Sequence, residues 1–194
     1  LQISIKKDKK NEGSSLLLIS SELSKMEHLL SLNIDASKTN DLNELSLREF
    51  CNGLIKMKKL QRFSLTIGST SEITGIHLPY IYRCISKLGN LEYLSLIHNK
   101  FELSSFIWTY ILDYIKEFNS VKSLTLVYQD SFGITKESLE ETLEILQKLE
   151  NIEYLTLRLP LFMGEQIEEL YNFKRAVSSL KNIKKADIQM QKRT

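Results

Sequence analysis

The sequence predicts an α/β fold in which short parallel strands alternate with helices in a repeated array. The first observation is a nine-residue phrase of the form apolar-x-x-apolar-x-x-apolar-x-apolar, which occurs six times, at residues 26–34, 57–65, 88–96, 118–126, 149–157 and 180–188. The second is its regular spacing, because the third apolar position falls at residues 32, 63, 94, 124, 155 and 186. The third is composition, since 33 of the 194 residues are leucine and only 2 are proline.

Each copy of the phrase ends in alternating apolar and polar residues, which is typical of a short strand with one buried face. The motif Ile3-Ser-Ile5 fits the same pattern and predicts a truncated first copy. One strand and one helix cannot bury their apolar sides alone, so neighbouring units must stack. Strands lie about 4.8 Å apart and packed helices about 8–10 Å apart, which predicts a curved array with the strands on the concave side.

The stretches between the copies have helical periodicity. Two columns of residues four apart are predicted to face inward, namely Leu23, Leu54, Ile85, Ile115, Leu146 and Val177, and Ile19, Phe50, Ile81, Ile111, Thr142 and Phe173. Ser138 and Glu141 have the spacing of a capping box, and Pro79 suits a first helical turn. Thr142 is the polar exception in its column, and there we expect valine to be tolerated.

These repeats resemble those of a leucine-rich repeat protein of the ribonuclease-inhibitor-like class. The resemblance covers essentially the whole chain, and it implies a horseshoe of six repeats, each about 30–31 residues long, after the truncated first copy. It also implies that residues 1–194 form one array, a fragment of a longer chain that lacks its terminal caps. Only Asn99 matches the family's ladder asparagine, whereas the equivalent places hold Ser37, Gly68, Gln129, Pro160 and Gln191, so we expect irregular turns after the strands.

The sequence contains no grouping of residues with the spacing typical of a catalytic or metal-binding site. His28, His77 and His98 share no metal-ligand spacing with the cysteines, and we expect them on the surface or in turns. Cys51 and Cys84 are expected to be buried free thiols. We therefore expect no enzymatic activity, no metal and no cofactor. The four glutamates of one predicted helix, Glu137, Glu140, Glu141 and Glu144, are expected to form a solvated face.

The charge balance gives no broad reason to expect nucleic acid or an anionic membrane as a partner. The net charge is +2, from 26 basic and 24 acidic residues. The lysine-rich run at residues 6–10 lacks the interleaved aromatic residues of single-strand binders, so we expect a solvated turn. No apolar stretch approaches the ~20 residues needed to span a bilayer. We expect an intracellular, cytoplasmic protein, with a nuclear location left open.

The strand residues that point away from the predicted core form three columns. The first is Ser31, Arg62, Tyr93, Ser123, Tyr154 and Lys185. The second is Asn33, Ser64, Ser95, Thr125, Thr156 and Asp187, and the third is Asp35, Thr66, Ile97, Val127, Arg158 and Gln189. Tyrosine and arginine are enriched at binding hot spots. The predicted partner-binding residues are therefore Arg62, Tyr93, Ile97, Val127, Tyr154 and Arg158, although serine, threonine and β-branched residues also simply suit strands.

The resemblance implies a non-catalytic module that binds a protein partner through its concave face, within a larger complex. The alternative is an adaptor or structural subunit, such as a ubiquitin-ligase substrate receptor or a component of a cytoskeletal, axonemal or ribonucleoprotein complex. A GTPase-activating protein of this class would be expected to offer essential polar residues on a rim loop, and none is identifiable here. Both functional expectations follow from fold-level analogy.

Overall fold

A computed structural model describes residues 1–4, 15–38, 42–70, 72–129, 135–160 and 167–191. Within these ranges the strands are β1 (Gln2–Ser4), β2 (Ser31–Ala36), β3 (Arg62–Gly68), β4 (Tyr93–Asn99), β5 (Ser123–Gln129), β6 (Tyr154–Pro160) and β7 (Lys185–Gln191). The helices are α1 (Ser15–Leu23), α2 (Glu44–Leu54), α3 (Leu78–Ile85), α4 (Ser105–Ile115), α5 (Lys136–Lys148) and α6 (Ile167–Ser178). A short 3-10 turn, Gly75–His77, leads directly into α3. Strands and helices therefore alternate, as the sequence predicts.

The strands form one parallel sheet in chain order from β1 to β7. Their register joins equivalent repeat positions without a slip, because Leu32 pairs with Phe63, Phe63 with Leu94 and Leu94 with Leu124. The pairing continues through Leu155 to Ala186. A one-residue slip would turn each buried side chain to the opposite face of the sheet, so the hydrophobic pattern specifies this register.

The helix starts keep a constant distance from the strands that follow them. Asn43, Ser104 and Thr135 are the N-cap residues of α2, α4 and α5, and Thr74 is the N-cap of the 3-10 turn that leads into α3. Each precedes the third apolar position of its copy by the same interval, as in 43 to 63 and 135 to 155. The one shorter step between copies, from 94 to 124, therefore loses its residue in the loop after β4. In that loop Lys100 has a φ of 62°, a left-handed conformation that is uncommon outside glycine.

Helix capping differs at one place from the sequence-based expectation. The N-cap of α5 is Thr135, whose side chain accepts a hydrogen bond from the Ser138 amide, so the predicted capping box at Ser138 and Glu141 is wrong. A reciprocal box does form at the start of α2. There the Asn43 side chain accepts from the Ser46 amide at 2.8 Å, and the Ser46 hydroxyl accepts from the Asn43 amide at 3.0 Å.

The two inward helix columns are confirmed, with one exception. Every member is buried except Ile19, which is half-buried. A third inward column, which the sequence analysis missed, completes the contact between helices and sheet and comprises Leu16, Leu47, Leu78, Trp108 and Leu139. Pro79 lies in the first turn of α3 as expected.

Thr142 has a polar role that its column position does not reveal. Its hydroxyl accepts a hydrogen bond from the Trp108 indole at 2.8 Å and donates one to the Ser138 carbonyl at 2.6 Å. All three residues are buried. The expectation that valine would be tolerated is therefore reversed, because valine would leave the indole N–H unpaired in the interior.

Polar side chains in the helix-to-strand turns tie successive repeats together. Asn90 donates to the Lys58 carbonyl at 2.7 Å, and Ser120 donates to the Leu91 carbonyl at 2.9 Å. The same repeat position holds Asn151 and Asn182, and each donates to a carbonyl of the preceding turn. We call Asn90, Ser120, Asn151 and Asn182 the turn ladder. It satisfies carbonyl groups that helices and strands leave free.

Replacing Ile85 with alanine is expected to lower the free energy of unfolding by about 2–5 kcal/mol, the range for truncating a buried large aliphatic residue. Ile85 is buried between α3 and the sheet. Denaturant titration measures the change. Arg83→Ala, on the exposed face of the same helix, is the control and should shift stability by less than about 0.5 kcal/mol. A neutral Ile85→Ala would contradict the assigned helix orientation.

Replacing Thr142 with valine is expected to cost about 1–3 kcal/mol, because the buried Trp108 N–H loses its acceptor. Trp108 is the one tryptophan of the sequence, so its fluorescence also reports the loss of the hydrogen bond. Thr142→Ser retains the hydroxyl and should preserve the emission maximum. A valine variant as stable as the wild type would show that the bond contributes nothing.

Candidate functional site

Within the described residues, helices cover one face of the sheet and leave the other uncovered, and we call this second face the open face. The three outward columns predicted from the sequence lie on it in register. Arg62 pairs with Tyr93, Tyr93 with Ser123 and Ser123 with Tyr154. Side chains at equivalent positions therefore form rows that cross the strands, at a spacing of about 4.8 Å.

A shallow depression of about 490 Å³ lies on the open face, at the ends where the strands begin. It brings together three of the predicted residues, Arg62, Tyr93 and Tyr154. Its other polar lining residues are Ser31, Asn33, Ser64, Glu92, Lys122, Ser123 and Glu153. The depression is thus a polar trough with two aromatic side chains and one arginine in its walls. We call it the strand trough.

Tyr93 and Tyr154 stand on either side of a small residue. Ser123 lies between them in the same row, so their strands are two spacings, or about 10 Å, apart. Their side chains remain accessible, at 40% and 47% exposure. An aromatic or aliphatic group of a partner could enter above Ser123 and contact both rings, an arrangement that buries much apolar area with little loss of side-chain entropy.

The rim of the strand trough carries paired charges, whereas its arginine is unpaired. Glu92 and Lys122 form an ion pair at 3.2 Å, and Glu153 and Lys184 form another at 2.8 Å. Both pairs join neighbouring repeats. Among the residues that the structure describes, Arg62 has no acidic partner. Its guanidinium is therefore free to form a bidentate contact with a carboxylate.

The other three predicted residues lie outside the strand trough. Val127 is only 4% exposed and offers almost no surface, and Ile97 is half-buried. Arg158 already has a neighbour, because its Nη2 lies 3.7 Å from Asp187 Oδ2. Its buried Nε has no hydrogen-bond partner among the described residues. The third column is thus less accessible than its sequence suggests.

Asp35, at the far end of the third column, is held as an anion. Its Oδ1 accepts hydrogen bonds from the Ser37 hydroxyl at 2.6 Å and the Ser37 amide at 3.0 Å. These bonds lower the pKa of Asp35 below its ordinary value. Asp35 and Arg62 therefore place opposite charges at different corners of the open face, which would orient a dipolar partner.

Beneath the open face lies a buried polar cluster that the sequence analysis missed. The Tyr82 hydroxyl lies 2.7 Å from the Tyr128 hydroxyl and 3.1 Å from His98 Nε2. All three residues are buried, so the expectation of a surface or turn position for His98 is wrong. The signal was present, because His98 follows Leu94 and Leu96 at the period of two that marks inward strand positions.

Burial determines the protonation state of His98. Its Nδ1 has no partner among the described residues, so a second ring proton would place a positive charge in an apolar interior without an acceptor there to stabilise it. Burial lowers the pKa of His98 from 6.5 to about 3. The imidazole is therefore neutral at physiological pH and serves the packing between α3, β4 and β5.

The two cysteines are buried free thiols, as expected. They belong to neighbouring helices, Cys51 to α2 and Cys84 to α3. The hydrogen bond between them, followed by burial, raises the pKa of Cys51, and the same bond lowers the pKa of Cys84. A thiol without solvent access reacts slowly with external reagents, so the geometry favours a packing role.

The other candidate groups form no reactive cluster within the described residues. Glu137, Glu140, Glu141 and Glu144 all lie on the exposed side of α5, as expected. The lysine-rich run 6–10 lies outside the described residues. Nowhere in the described ranges do three or more histidine, cysteine, aspartate or glutamate side chains converge as metal ligands. None of the helices described combines the length and hydrophobicity that crossing a membrane requires.

Comparisons with known proteins add no family assignment. No protein-family model matches the chain, and no curated protein sequence is significantly similar to it.

Lowering the pH from 7 to 5 is expected to cost the protein about 2 kcal/mol of stability through His98. The unfolded imidazole, with a pKa near 6.5, takes up a proton in this range, whereas the folded one, with a pKa of about 3, does not. Stability is therefore fully present above pH 6.5 and falls by up to about 1.4 kcal/mol per pH unit below it. Urea titrations at several pH values measure the slope.

The exposed His28 provides the matched control for this pH dependence. His98→Gln should flatten the difference in stability between pH 7 and pH 5, and His28→Gln should leave it unchanged. An unaltered slope in His98→Gln would mean that other groups cause the acid sensitivity.

Proposed function

We propose that this chain is a leucine-rich repeat protein of the ribonuclease-inhibitor-like class that acts as a non-catalytic protein-interaction module. The sheet is then the concave surface of a horseshoe, because helices that pack about 8–10 Å apart must diverge from strands about 4.8 Å apart. The in-register parallel strands and the constant distance from N-cap to strand support this assignment. A concave sheet presents many side chains to one partner at once.

The observation that carries the proposal is the strand trough. Two accessible tyrosines converge there with Arg62, which has no acidic partner among the described residues, on a floor of small polar residues. Tyrosine and arginine are the residue types that supply most of the energy in protein interfaces. The ion pairs Glu92–Lys122 and Glu153–Lys184 form a polar rim around them, which is the usual anatomy of an interface.

The shape and charge of the strand trough indicate what kind of segment it would bind. The depression crosses β2 to β6, so a helix or an extended segment of the partner would lie across the strands. Its central side chain would enter between Tyr93 and Tyr154, above Ser123. An acidic group about two strands away would meet Arg62. Arg158, which already contacts Asp187, contributes less in this arrangement than the sequence suggests.

The double substitution Tyr93→Ala, Tyr154→Ala is expected to weaken partner binding at least fivefold per hot spot, equivalent to about 1 kcal/mol or more for each. Folding should be preserved, because both side chains lie on the surface. The test captures partners with the wild-type chain, identifies them by quantitative mass spectrometry, and then titrates one purified partner against each variant. Circular dichroism verifies that the variants are folded.

Tyr171 supplies the matched control, since it is an exposed tyrosine on α6, away from the sheet. Tyr171→Ala should bind the partner as tightly as the wild type does. Unchanged affinity in the folded Tyr93, Tyr154 double variant would reject the strand trough as the binding surface. A loss of affinity with Tyr171→Ala alone would place the contact on the helices and favour the role of adaptor subunit.

A further inference from the structure

Five neighbouring strands place a symmetric series of side chains along the strand trough. Arg62, Tyr93, Ser123, Tyr154 and Lys185 are direct register partners from β3 to β7. The small Ser123 stands at the centre, with a tyrosine one strand away and a cation two strands away on each side. We call these five residues the tyrosine row. The first four line the strand trough, and Lys185 lies one strand beyond that lining. At about 4.8 Å per strand, each cation is about 9.6 Å from the centre.

The acidic side chains next to the tyrosine row are already paired with other cations. These pairs are Glu92–Lys122 at 3.2 Å, Glu153–Lys184 at 2.8 Å and Asp187–Arg158 at 3.7 Å. The one other acidic residue of the three outward columns, Asp35, lies at the opposite end of its strand and is bonded to Ser37. Arg62 and Lys185 are exposed and have no acidic partner in the described part of the chain. The tyrosine row therefore carries two positive charges that its neighbours do not offset.

The turns that lead into the strands extend this positive charge along the same edge of the sheet. They comprise residues 24–30, 55–61, 86–92, 116–122, 149–153 and 179–184, and together they contain nine lysines and five glutamates. The edge thus stays positive even when each glutamate is paired with a lysine. A segment that carries a negative charge on both sides of an apolar centre is complementary to this arrangement.

A polyproline II segment has the same period as the tyrosine row. It has three residues per turn and rises about 3.1 Å per residue, so the side chains on one of its sides recur about every 9.3 Å. When such a segment lies across the strands with one residue above Ser123, the residues three positions before and after it arrive at Arg62 and Lys185. The match holds over the whole row, because six residues of the segment and four strand spacings both span about 19 Å.

Other backbone conformations match the tyrosine row less well. The side chains on one face of an extended strand recur about every 6.8 Å, which falls short of each cation. Seven residues of an α-helix advance about 10.5 Å, so the mismatch reaches about 2 Å over the row. A helix is also about 10–12 Å wide, as wide as the distance between the strands of Tyr93 and Tyr154, so its backbone cannot enter between the two rings.

We propose that the strand trough binds a polyproline II segment with a proline at its centre and an acidic residue three positions away on each side. This inference rests on the function proposed for the strand trough and specifies the partner. The central ring enters between Tyr93 and Tyr154, and the two carboxylates pair with Arg62 and Lys185. A segment that is already in this conformation loses little entropy on binding, which suits a shallow site. The symmetry of the tyrosine row allows the segment to bind in either chain direction.

The test measures the affinity of the full chain for a labelled polyproline peptide about eleven residues long, acetylated and amidated at its ends, by fluorescence anisotropy. This glutamate peptide has a glutamate three residues before and another three residues after its central proline. A spacing control has its glutamates two residues from the centre, which turns them away from the side that the central proline presents. A charge control has lysines in place of the glutamates. We expect both controls to bind at least fivefold more weakly.

Variants of the tyrosine row identify the groups that make the contacts. Arg62→Gln with Lys185→Gln should bind the glutamate peptide at least fivefold more weakly and should no longer distinguish it from the spacing control. Arg62→Glu with Lys185→Glu should reverse the preference in favour of the lysine peptide. Tyr93→Ala with Tyr154→Ala should weaken the binding of the glutamate peptide at least tenfold.

A matched control, Arg83→Gln with Lys148→Gln, removes one exposed arginine and one exposed lysine from the helices and should leave the affinity unchanged. An equal loss in this control would mean non-specific attraction to positive charge and would overturn the inference. Equal binding of the glutamate peptide and its spacing control would do the same. So would tighter binding of a helical peptide that has glutamates seven residues before and after a central leucine.

The same variants separate this inference from the proposed function. A natural partner that loses affinity in the Tyr93, Tyr154 double variant supports the strand trough as a binding surface, whichever peptide binds. If that partner depends on the two tyrosines while the glutamate peptide binds no better than its controls, the polyproline inference alone is rejected. Unchanged affinities of both the partner and the peptide in the double variant would reject both proposals.

Discussion

The constant separation between a helix N-cap and the third apolar position of the next strand is the constraint on which the other features depend. It fixes how far along its axis each helix is placed against the sheet, so that the same three inward columns meet the same strand positions in successive repeats. A change of one residue in that interval would rotate the apolar stripe by about 100° and expose it. The length of the loop after each strand is not constrained in this way. The one repeat that is a residue shorter loses that residue in the loop after β4, which contains Lys100.

Strict register also explains how this chain builds its candidate binding surface. A single exposed side chain on one repeat has little significance. When several repeats expose side chains at the same position, strict register aligns those side chains in a row across the strands. On the open face the rows lie at strand spacing, so Tyr93 and Tyr154 act together across Ser123. The polar cluster of Tyr82, His98 and Tyr128 connects three elements beneath this surface.

The sequence predicted the alternation of strands and helices, the parallel strand positions and two of the three inward columns, because apolar periodicity reports burial directly. It misplaced features that depend on hydrogen bonds between distant residues. Thr142 has a partner 34 residues away in Trp108, and no local pattern reveals it. Half of the candidate site was likewise anticipated. Arg62, Tyr93 and Tyr154 do converge, whereas the burial of Val127 and the pairing of Arg158 depend on how neighbouring strands shield each other.

The turn ladder has a consequence for how such a chain can change in length during evolution. Each residue of the turn ladder donates a hydrogen bond to a backbone carbonyl of the preceding helix-to-strand turn. That preceding turn belongs to a repeat with the same sequence of strand, loop and helix. A duplicated unit would therefore arrive with the donor for its predecessor and the acceptor for its successor. Gain or loss of a whole unit leaves both new junctions hydrogen-bonded, whereas insertion of part of a unit leaves one side unmatched. The genetic change that this architecture tolerates best is therefore the gain or loss of one complete repeat.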